Sequence, residues 1–375
     1  MVNGRKVCIL STVHPPFDVR IFYKQARTLN RAGYQVTLIA QHARNEVVDG
    51  IKILALPKPK NRLIRILGLT WRAFCLALRE KADVYHFHDP ELIPFMFLLR
   101  LLRLVPVIYD VHEDYKTGIL QKNYLSPCLR SMAAWVLTFL ERISAYIFQI
   151  VLAEKYYAER FPSGITVLNY PVVNATEDSH YPAVYCVDAP RVLYTGGVSE
   201  ERGAMIYAGL VHLLPSLHVY LVGRCEPDLA TRLYKIAAPH ESRLHLEGVG
   251  FYVPHSRIQA YYSVGGWVAG LALFPPNEFY ERKELTKLFE YMAARIPIIC
   301  SNFSHWKEIV EGNRCGITVD PLNPKAITEA ITFLITHPEE ARMMGENGRR
   351  AVEEKYNWER EAKKLLTLYE ELLAS

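Results

Sequence analysis

The sequence predicts an α/β protein built from two Rossmann-like domains, each a doubly wound parallel sheet, with a cleft between them. The chain has 375 residues, which is more than one domain usually contains. Strand-like apolar runs alternate with helical periods in two separate sets, as in parallel sheets that helices cover on both faces. Residues 171–190, between the two sets, are rich in Pro, Asn, Asp and Ser and show no apolar period.

In the first set, the strand KVCILSTV precedes a helix over 18–32, whose apolar residues share one face and which Gly33 ends. The other predicted elements, in chain order, are strands QVTLIAQ and IKILALP, a helix over 62–80, strand VYHFHD, helix PELIPFMFLLRLLR, strand VPVIYDVHE, a helix over 127–148, and strands QIVLAE and ITVLNYP.

The second set repeats this alternation. Its predicted strands are RVLYTGGV, LHVYLVGR, RLHLEGV, GGWVAGLALF, IPIICSN and GITVDP, with helical stretches between them and three closing helices over 324–336, 338–354 and 357–373. We therefore expect a first domain over 1–172, a linker over 173–190 and a second domain over 191–355. A last segment over 356–375 is expected to pack back on the first domain.

The charge distribution, the cysteines and the lengths of the apolar runs limit the classes of protein that fit this sequence. Residues 1–170 contain 23 Lys and Arg against 13 Asp and Glu, so this half carries +10, whereas the remainder carries −5. A basic half is compatible with nucleic acid, an anionic membrane or a phosphorylated substrate. The seven scattered cysteines include no C-x-x-C, which favours reduced thiols. We see no signal peptide and no uncharged run long enough to span a membrane.

The segment VLYTGGVSEERG places candidate ligand-binding residues at the end of a strand. Paired glycines, Gly196 and Gly197, allow a ligand to approach the backbone, and Arg202 at a helix start is suited to phosphate. Taken alone, a Gly-Gly pair is more often only a turn. The segment lacks the G-x-G-x-x-G fingerprint, so it gives little support for dinucleotide binding.

The segment KLFEYMAARIPIIC places Lys287 and Glu290 in the first turn of a helix. In one interpretation this is a solvated turn in which Glu290 complements the helix dipole. In the other, free N–H groups and Lys287 hold an anion while Glu290 accepts hydrogen bonds from hydroxyls. The segment by itself leaves the two alternatives open.

Polar residues also end the strands of the first half. His112 and Glu113 follow one strand, and His86 and His88 lie on another. A lone histidine is more often a core or capping residue, and Asp89 before Pro90 is typical first of an N-cap. The loop TVHPPFDVRI brings three further acceptor-side candidates, Asp18, Arg20 and Lys24, of which Asp18 also suits a helix cap. No H-E-x-x-H or compact ligand spacing occurs, so no metal is expected.

Together these segments resemble the retaining glycosyltransferases of the GT-B fold, family four, especially bacterial members that build exopolysaccharide, capsule or O-antigen. The resemblance covers nearly the whole chain and rests on seven segments in family order. They are FDVRIFYKQARTLNRAGYQVTLIA, HDPELIP, VIYDVHEDY, YTGGVSEERG, KLFEYMAARIPIIC, the continuation SNFSHWKEIVEGNRCGITVDPLNPKAITEAI, and NGRRAVEEKYNWEREAKKLLTLYEELL.

The resemblance implies a role for each matching residue. His112 corresponds to the cleft histidine that faces the reacting sugar, and Arg202 to the basic residue that neutralises the donor diphosphate. Glu290 corresponds to the second glutamate of the E-x7-E motif, which accepts from ribose hydroxyls, so the resemblance favours the ligand interpretation of that helix. The residues before it, Glu284, Leu285, Thr286, Lys287 and Leu288, would lie along the diphosphate.

Two positions depart from the family pattern. Arg282 occupies the place of the first glutamate of E-x7-E, with Glu281 and Glu284 nearby as substitutes. Gly196-Gly197 stands where the family has Gly-Arg, so one phosphate-binding arginine is missing and Arg282 is a candidate to replace its charge.

The implied reaction is transfer of a hexose from a nucleotide-diphosphate sugar to a hydroxyl of a polysaccharide or lipid-linked acceptor, with retention of configuration and without a cofactor or metal. UDP-sugars, UDP-glucose first, are the expected donors. A nucleotide-sugar 2-epimerase of the same architecture and a non-catalytic nucleic-acid-binding protein are the alternatives. We expect a cytoplasmic protein with no nucleic-acid partner. The segment RLIRILGLTWRAFCLALR is either a basic amphipathic helix for an anionic membrane or an ordinary domain helix.

Overall fold

The computed structural model describes residues 4–115, 119, 126–173 and 189–374. They form two compact units. The first unit comprises the residues up to Asn169 together with those from Trp358 onward, and the second unit comprises Tyr170–Asn357. Most of the predicted linker, 174–188, lies outside the described residues.

The first unit is built on an eight-stranded sheet. Its strands are β1 (Lys6–Leu10), β2 (Gln35–Gln41), β3 (Glu46–Val48), β4 (Ile51–Leu56), β5 (Val84–Phe87), β6 (Val107–Val111), β7 (Gln149–Leu152) and β8 (Ile165–Thr166). They are ordered β3-β4-β2-β1-β5-β6-β7-β8. All neighbours pair in parallel except β3 with β4, an antiparallel edge that the sequence pattern did not predict.

Helices cover both faces of this sheet. Helix α1 begins as a π-helix, Val19–Ala26, and continues as an α-helix, Arg27–Arg31. Helix α2 likewise combines a π-helical Ile64–Leu69 with an α-helical Thr70–Glu80. Helices α3 (Ile93–Arg103) and α4 (Pro127–Ile147) follow.

The C-terminal helix, Trp358–Ala374, belongs to this first unit. Trp358, Leu365 and Leu368 are buried in one core cluster with β1 and β2, and the Trp358 Nε1–H donates to Thr28 Oγ1 at 2.8 Å. The chain therefore returns from the second unit to complete the core of the first.

The second unit is a six-stranded, wholly parallel sheet. Its strands are β9 (Arg191–Thr195), β10 (His218–Cys225), β11 (Leu244–Val249), β12 (Ala269–Ala272), β13 (Ile298–Ser301) and β14 (Gly316–Val319), ordered β11-β10-β9-β12-β13-β14. Its helices are α5 (Ala204–Leu213), α6 (Pro227–Ala237), α7 (His255–Val264), α8 (Glu278–Glu281), α9 (Thr286–Ala293), α10 (Ser304–Val310), α11 (Pro324–Thr336) and α12 (Pro338–Glu354).

Strand order in both units locates their ligand-binding edges. In the second unit the order reverses direction between β9 and β12, and in the first between β1 and β5. Ligands of open α/β sheets bind at such switch points, outside the carboxyl ends of the strands. The predicted α/β class with two parallel sheets is confirmed. None of the helices in the described part of the chain has the length and apolar character that a membrane crossing requires.

Candidate functional site

In the first unit, the carboxylate of Asp89 holds the loop that follows β1. Asp89 lies just beyond β5 and is fully buried. Its Oδ2 accepts from the Ser11 hydroxyl at 2.9 Å and from the backbone N–H groups of Thr12 and Val13 at 2.6 and 3.2 Å. The expectation that this side chain caps its own helix is wrong, because it makes no such bond there. The carboxylate instead accepts hydrogen bonds from the loop after β1, at the switch point of the sheet.

A buried ion pair lies beneath this loop. Arg20 donates from Nε and Nη2 to the two carboxylate oxygens of Asp110, at 3.0 Å each. Gln25 also donates to Asp110. Burial alone would raise the pKa of Asp110, but the guanidinium of Arg20 and the neighbouring histidines hold it well below its usual value. Arg20 therefore serves an internal network in this structure.

Three histidines extend that network towards the strand ends. His86 and His88 are fully buried, with their rings stacked at 4.9 Å between centroids. Burial lowers the pKa of His88 well below its usual value. His112 lies 4.5 Å from the ring of His14, and burial followed by the charge of His14 lowers its pKa to about 3. His112 is consequently a neutral imidazole at physiological pH, able to donate one hydrogen bond and accept another.

Potential metal ligands come together here in two groups. His14, Asp89 and His112 form one, and His86, His88 and Asp110 the other, with ligand atoms in each group within 4.8 Å of one another. Tertiary contact creates these groups, which the sequence spacing did not predict. The Asp110 carboxylate already pairs with Arg20, and the Asp89 Oδ2 already accepts from three donors of the β1 loop. Existing contacts thus occupy the carboxylates, and metal independence stays a prediction.

The other acceptor-side candidates lie around this cluster. Asp18 caps α1, because its Oδ1 accepts from the backbone N–H groups of Arg20 and Ile21 at 2.8 and 3.0 Å. Lys24 is buried and donates to the carbonyl of Asn169 at 3.0 Å. Glu113 is exposed. Contact of any of them with an acceptor stays a prediction.

In the second unit, a glycine turn follows β9. Gly196 has φ +104°, and a Cβ placed there would lie 3.5 Å from the Nζ of Lys287. A Cβ on Gly197 would lie 3.1 Å from Nη1 of Arg202. Gly203, at φ +84°, begins α5 so close to β12 that a Cβ would meet the carbonyl oxygen of Leu273 at 2.0 Å. The positive φ angles of Gly196 and Gly203 favour glycine, and the side chains of Arg202 and Lys287 converge on the Gly196-Gly197 turn.

Lys287 and Arg202 are basic side chains that have no carboxylate partner among the described residues. The Lys287 Nζ lies 3.9 Å from the ring centroid of Tyr194, and Arg202 Nε donates to the Tyr280 hydroxyl at 3.2 Å. Among the described residues neither pairs with a carboxylate. Burial and the charge of Arg202 lower the pKa of Lys287 well below its usual value, although Glu290 opposes the shift. Two mostly buried basic side chains beside a glycine turn, without a carboxylate partner in the part of the chain that the structure describes, are suited to hold an anion.

Glu290 is held by a chain of hydroxyls. Its Oε2 accepts from the Tyr262 hydroxyl at 2.8 Å, and that hydroxyl also bonds the Thr195 hydroxyl at 2.8 Å. Glu290 is half-buried near the middle of α9, and its other oxygen has no hydrogen-bond partner among the described residues. The position fits a carboxylate that accepts from ligand hydroxyls.

The first turn of α9 leaves backbone N–H groups without helical partners. Leu285 is its N-cap and offers no side-chain cap, while the Leu288 N–H donates back to the Leu285 carbonyl at 3.0 Å. The backbone N–H groups of Thr286 and Lys287 remain at the positive end of the helix dipole.

Glu281 and Glu284, the two candidate substitutes for the first glutamate of E-x7-E, differ in their surroundings, because Glu281 is exposed at the end of α8. Glu284 is buried and accepts from the Tyr170 hydroxyl at 2.8 Å, with His305 Nε2 at 3.2 Å from its other oxygen. Arg282 is exposed at the end of α8. The structure brings Gly196, Gly197, Arg202, Lys287 and Glu290 together, and leaves the part of Arg282 a prediction.

Sequence reasoning missed the aromatic frame of this site. Tyr194, Phe274 and Tyr280 enclose the two cations, and Tyr262 holds the glutamate. Tyr194 lies on β9 next to the glycine turn, which was the available signal. The others come from separate segments that only the fold brings together.

Comparisons with known proteins show which families and folds the chain resembles. Residues 210–351 match the family model for glycosyl transferases group 1, and residues 19–162 match the glycosyl transferase 4-like domain. An 83-residue stretch is 37% identical to spore coat protein SA of Bacillus subtilis (strain 168), covering 22% of each chain. The chain spans about a fifth of the length of the curated relatives it matches.

Two solved structures resemble the whole chain. Sucrose-phosphate synthase from Thermosynechococcus elongatus has a TM-score of 0.75 at 18% identity, covering 99% of both chains. Anabaena Alr3699/HepE in complex with UDP-glucose has a TM-score of 0.68 at 12% identity, covering 98% of this chain and 99% of that one. At these identities the likeness shows a shared fold.

Proposed function

The chain belongs to the GT-B glycosyltransferases of family four, and on this premise we propose that it transfers a hexose from a nucleotide-diphosphate sugar to an acceptor hydroxyl with retention of configuration. The observation that carries the proposal is the pair Lys287 and Arg202 at the Gly196-Gly197 turn. Both side chains are mostly removed from water and have no carboxylate partner in the described residues, so a bound diphosphate would supply negative charge to them.

The same pair explains how the leaving group is stabilised. When the bond between sugar and diphosphate breaks, negative charge accumulates on the diphosphate oxygens. Fixed cations and the N-terminus of α9 meet this charge in an environment of low dielectric constant, where their effect exceeds that in water. Diphosphate binding raises the proton affinity of Lys287, so we expect the lysine to be ammonium in the complex even though burial lowers its pKa in the free protein.

We propose a UDP-sugar as donor, with UDP-glucose tested first. Glu290 accepts from the ribose hydroxyls, and its Tyr262 contact fixes the carboxylate for that task. The HepE structure of the same fold is a complex with UDP-glucose, which supports this choice. The two cations take the place of a divalent ion at the diphosphate, so we propose that transfer needs no metal.

The acceptor is proposed to approach the strand ends of the first unit, where the neutral imidazole of His112 can hydrogen-bond a sugar hydroxyl. A polysaccharide or lipid-linked acceptor fits the net charge of +10 on residues 1–170. Arg72 and Arg79 of α2 are exposed, as docking at an anionic leaflet on the cytoplasmic side requires, and each is expected to add about 1 kcal/mol there. Arg65 instead pairs with Glu91 at 3.0 Å.

A donor screen tests the proposal. UDP, GDP and ADP and their glucose conjugates are titrated into the protein by calorimetry, and UDP-glucose turnover is then followed by product analysis with and without candidate acceptors. We expect UDP species to bind best and the sugar to appear as an α-linked glycoside. A 2-epimerised sugar formed from donor alone would replace this proposal with the epimerase alternative, and absence of nucleotide binding would reject both.

A further inference from the structure

The first unit exposes a large apolar surface across three adjacent helices. Of the 24 large hydrophobic side chains that are exposed in the described residues, 15 lie on α2, α3 and α4 or directly beside them. We call this the three-helix face. Its members are Leu63, Ile64, Leu67, Trp71, Leu98, Leu101, Leu102, Leu104, Leu129, Met132, Trp135, Val136, Phe139, Tyr146 and Ile147.

The face is continuous because the three helices pack side by side. Trp71 of α2 contacts Phe95 of α3 at 6.0 Å between ring centroids. Between α3 and α4 runs an apolar groove of about 620 Å³, lined by Phe97, Arg100, Leu101, Leu104, Leu140, Ile143 and Ile147. On α4 itself, Trp135 and Phe139 stack in parallel at 5.8 Å. A patch of this extent marks an interaction surface in a soluble domain.

The charges that accompany these side chains indicate what covers them. Arg72, Arg79 and Arg142 on the same helices are exposed. The acidic residues of the three helices are engaged elsewhere, since Glu80 binds Lys52 at 2.8 Å and the buried Glu141 binds Arg160 at 2.9 Å. The three described helices thus combine apolar side chains with cations and present no free carboxylate, which matches the boundary between acyl chains and anionic headgroups.

We propose that the three-helix face inserts into the headgroup–acyl boundary of an anionic bilayer, with its apolar side chains among the acyl chains and its arginines at the phosphates. The groove between α3 and α4 then accommodates a hydrocarbon chain beside Arg100. This goes beyond the proposed function, whose membrane contact is electrostatic docking of α2, and it does not depend on sugar transfer.

A second copy of the chain fits this face less well. A two-fold contact would place the same surface on both sides and enclose the arginines of both copies in one interface. No free carboxylate of the three described helices would compensate them. The bilayer supplies the opposite charge and the apolar layer together.

Intrinsic fluorescence reports on this face selectively. Trp71 and Trp135 are 53% and 67% exposed, whereas the other tryptophans, Trp267, Trp306 and Trp358, are buried. The intact protein is mixed with vesicles of phosphatidylglycerol and phosphatidylcholine, some with brominated acyl chains. We expect a blue shift of the emission, protection from acrylamide and quenching by the brominated lipid. Vesicle-bound protein whose emission is unshifted and unquenched by bromine would overturn the proposal.

A matched pair of variants tests the apolar contribution. Trp135→Ala/Phe139→Ala removes two exposed rings from the face, and Phe251→Ala/Tyr252→Ala removes two adjacent exposed rings from the second unit. We expect the first variant to lose about tenfold or more in partitioning at high salt, and the second to bind like the parent. Equal binding of both variants would refute insertion.

Two further measurements separate the alternatives. Light scattering that shows a dimer in the parent and a monomer in Trp135→Ala/Phe139→Ala would assign the face to a second copy and overturn the bilayer. UDP affinity measured on the same variant bears on the proposed function alone. A loss of vesicle binding with unchanged UDP affinity supports the inference, and unchanged vesicle binding refutes it whatever the nucleotide result.

Discussion

Replacing Lys287 by Met is expected to stabilise the free protein while weakening its hold on the nucleotide. The Lys287 amino group is buried over the Tyr194 ring, with Arg202 close by and no carboxylate partner in the described residues. Methionine keeps the length and apolar contacts of the side chain but removes the charge. The substitution therefore separates the energetic penalty of the buried cation from its use in binding.

The sign of the stability change follows from the lowered pKa of Lys287. Between its folded and unfolded pKa values, the unfolded chain binds a proton that the folded protein does not hold, so the lysine destabilises the fold there. This penalty is greatest below the folded pKa and disappears as pH rises through the unfolded pKa. The variant should thus gain on the order of 1–2 kcal/mol at neutral pH, with a gain that shrinks in alkaline solution.

The binding change has the opposite sign. Loss of one charge-assisted contact to the diphosphate should cost roughly 1.5–3 kcal/mol, which is about 10- to 150-fold in UDP affinity. UDP binding to the parent should also take up protons above the folded pKa of Lys287, because the anion restores the ammonium form. This uptake is expected to be absent in the variant.

Calorimetry in buffers of different ionisation enthalpy measures affinity and proton uptake together, and denaturant unfolding at several pH values measures stability. Lys307→Met, at an exposed lysine of the same unit, is the matched control and should change neither affinity nor proton uptake. A Lys287→Met variant that binds UDP like the parent would refute the anion site. A variant less stable than the parent at neutral pH would refute the account of the buried charge.

Three further predictions concern the second unit and the reaction. Glu290→Gln should weaken UDP binding by roughly 1.5–3 kcal/mol without loss of stability, as calorimetry and thermal unfolding can establish, and unchanged affinity would remove Glu290 from the ribose. Gly203→Ala should destabilise the second unit by more than about 1 kcal/mol, because a Cβ meets the Leu273 carbonyl at 2.0 Å and φ is +84°; an unchanged unfolding midpoint in denaturant would contradict this. Transfer should persist in EDTA, and activity that EDTA abolishes and Mg²⁺ restores would show that the cations do not suffice.

The sequence determined the fold class through two local signals. Strand-like runs such as KVCIL and IICS form β1 and β13. Their alternation with helices indicates parallel sheets, because two parallel strands must be joined by a crossover connection, which is usually a helix. The glycine pair and the helix bearing Lys287 and Glu290 could also be recognised in the sequence, since each is a contiguous segment. The family resemblance drawn from these segments is confirmed.

Only the tertiary structure decided which partners these residues have. The local sequence allowed the Asp89 carboxylate to cap its own helix or to bind elsewhere. In the structure it accepts hydrogen bonds from buried N–H groups of the β1 loop, 77 residues away in the chain. Arg20 forms a buried ion pair with Asp110, and no spacing in the sequence predicts this contact.

The exposure of the three-helix face could also not be predicted from the sequence alone. Residues 62–79 were open to two interpretations, because periodicity defines an apolar stripe and leaves its neighbour undefined. In the folded unit Phe74 entered the core while Leu67 and Trp71 stayed exposed. The sequence determines which residues of a helix are apolar. Whether each apolar side chain is buried depends on how much of the stripe the neighbouring helix covers, and that depends on packing between segments that are distant in the chain.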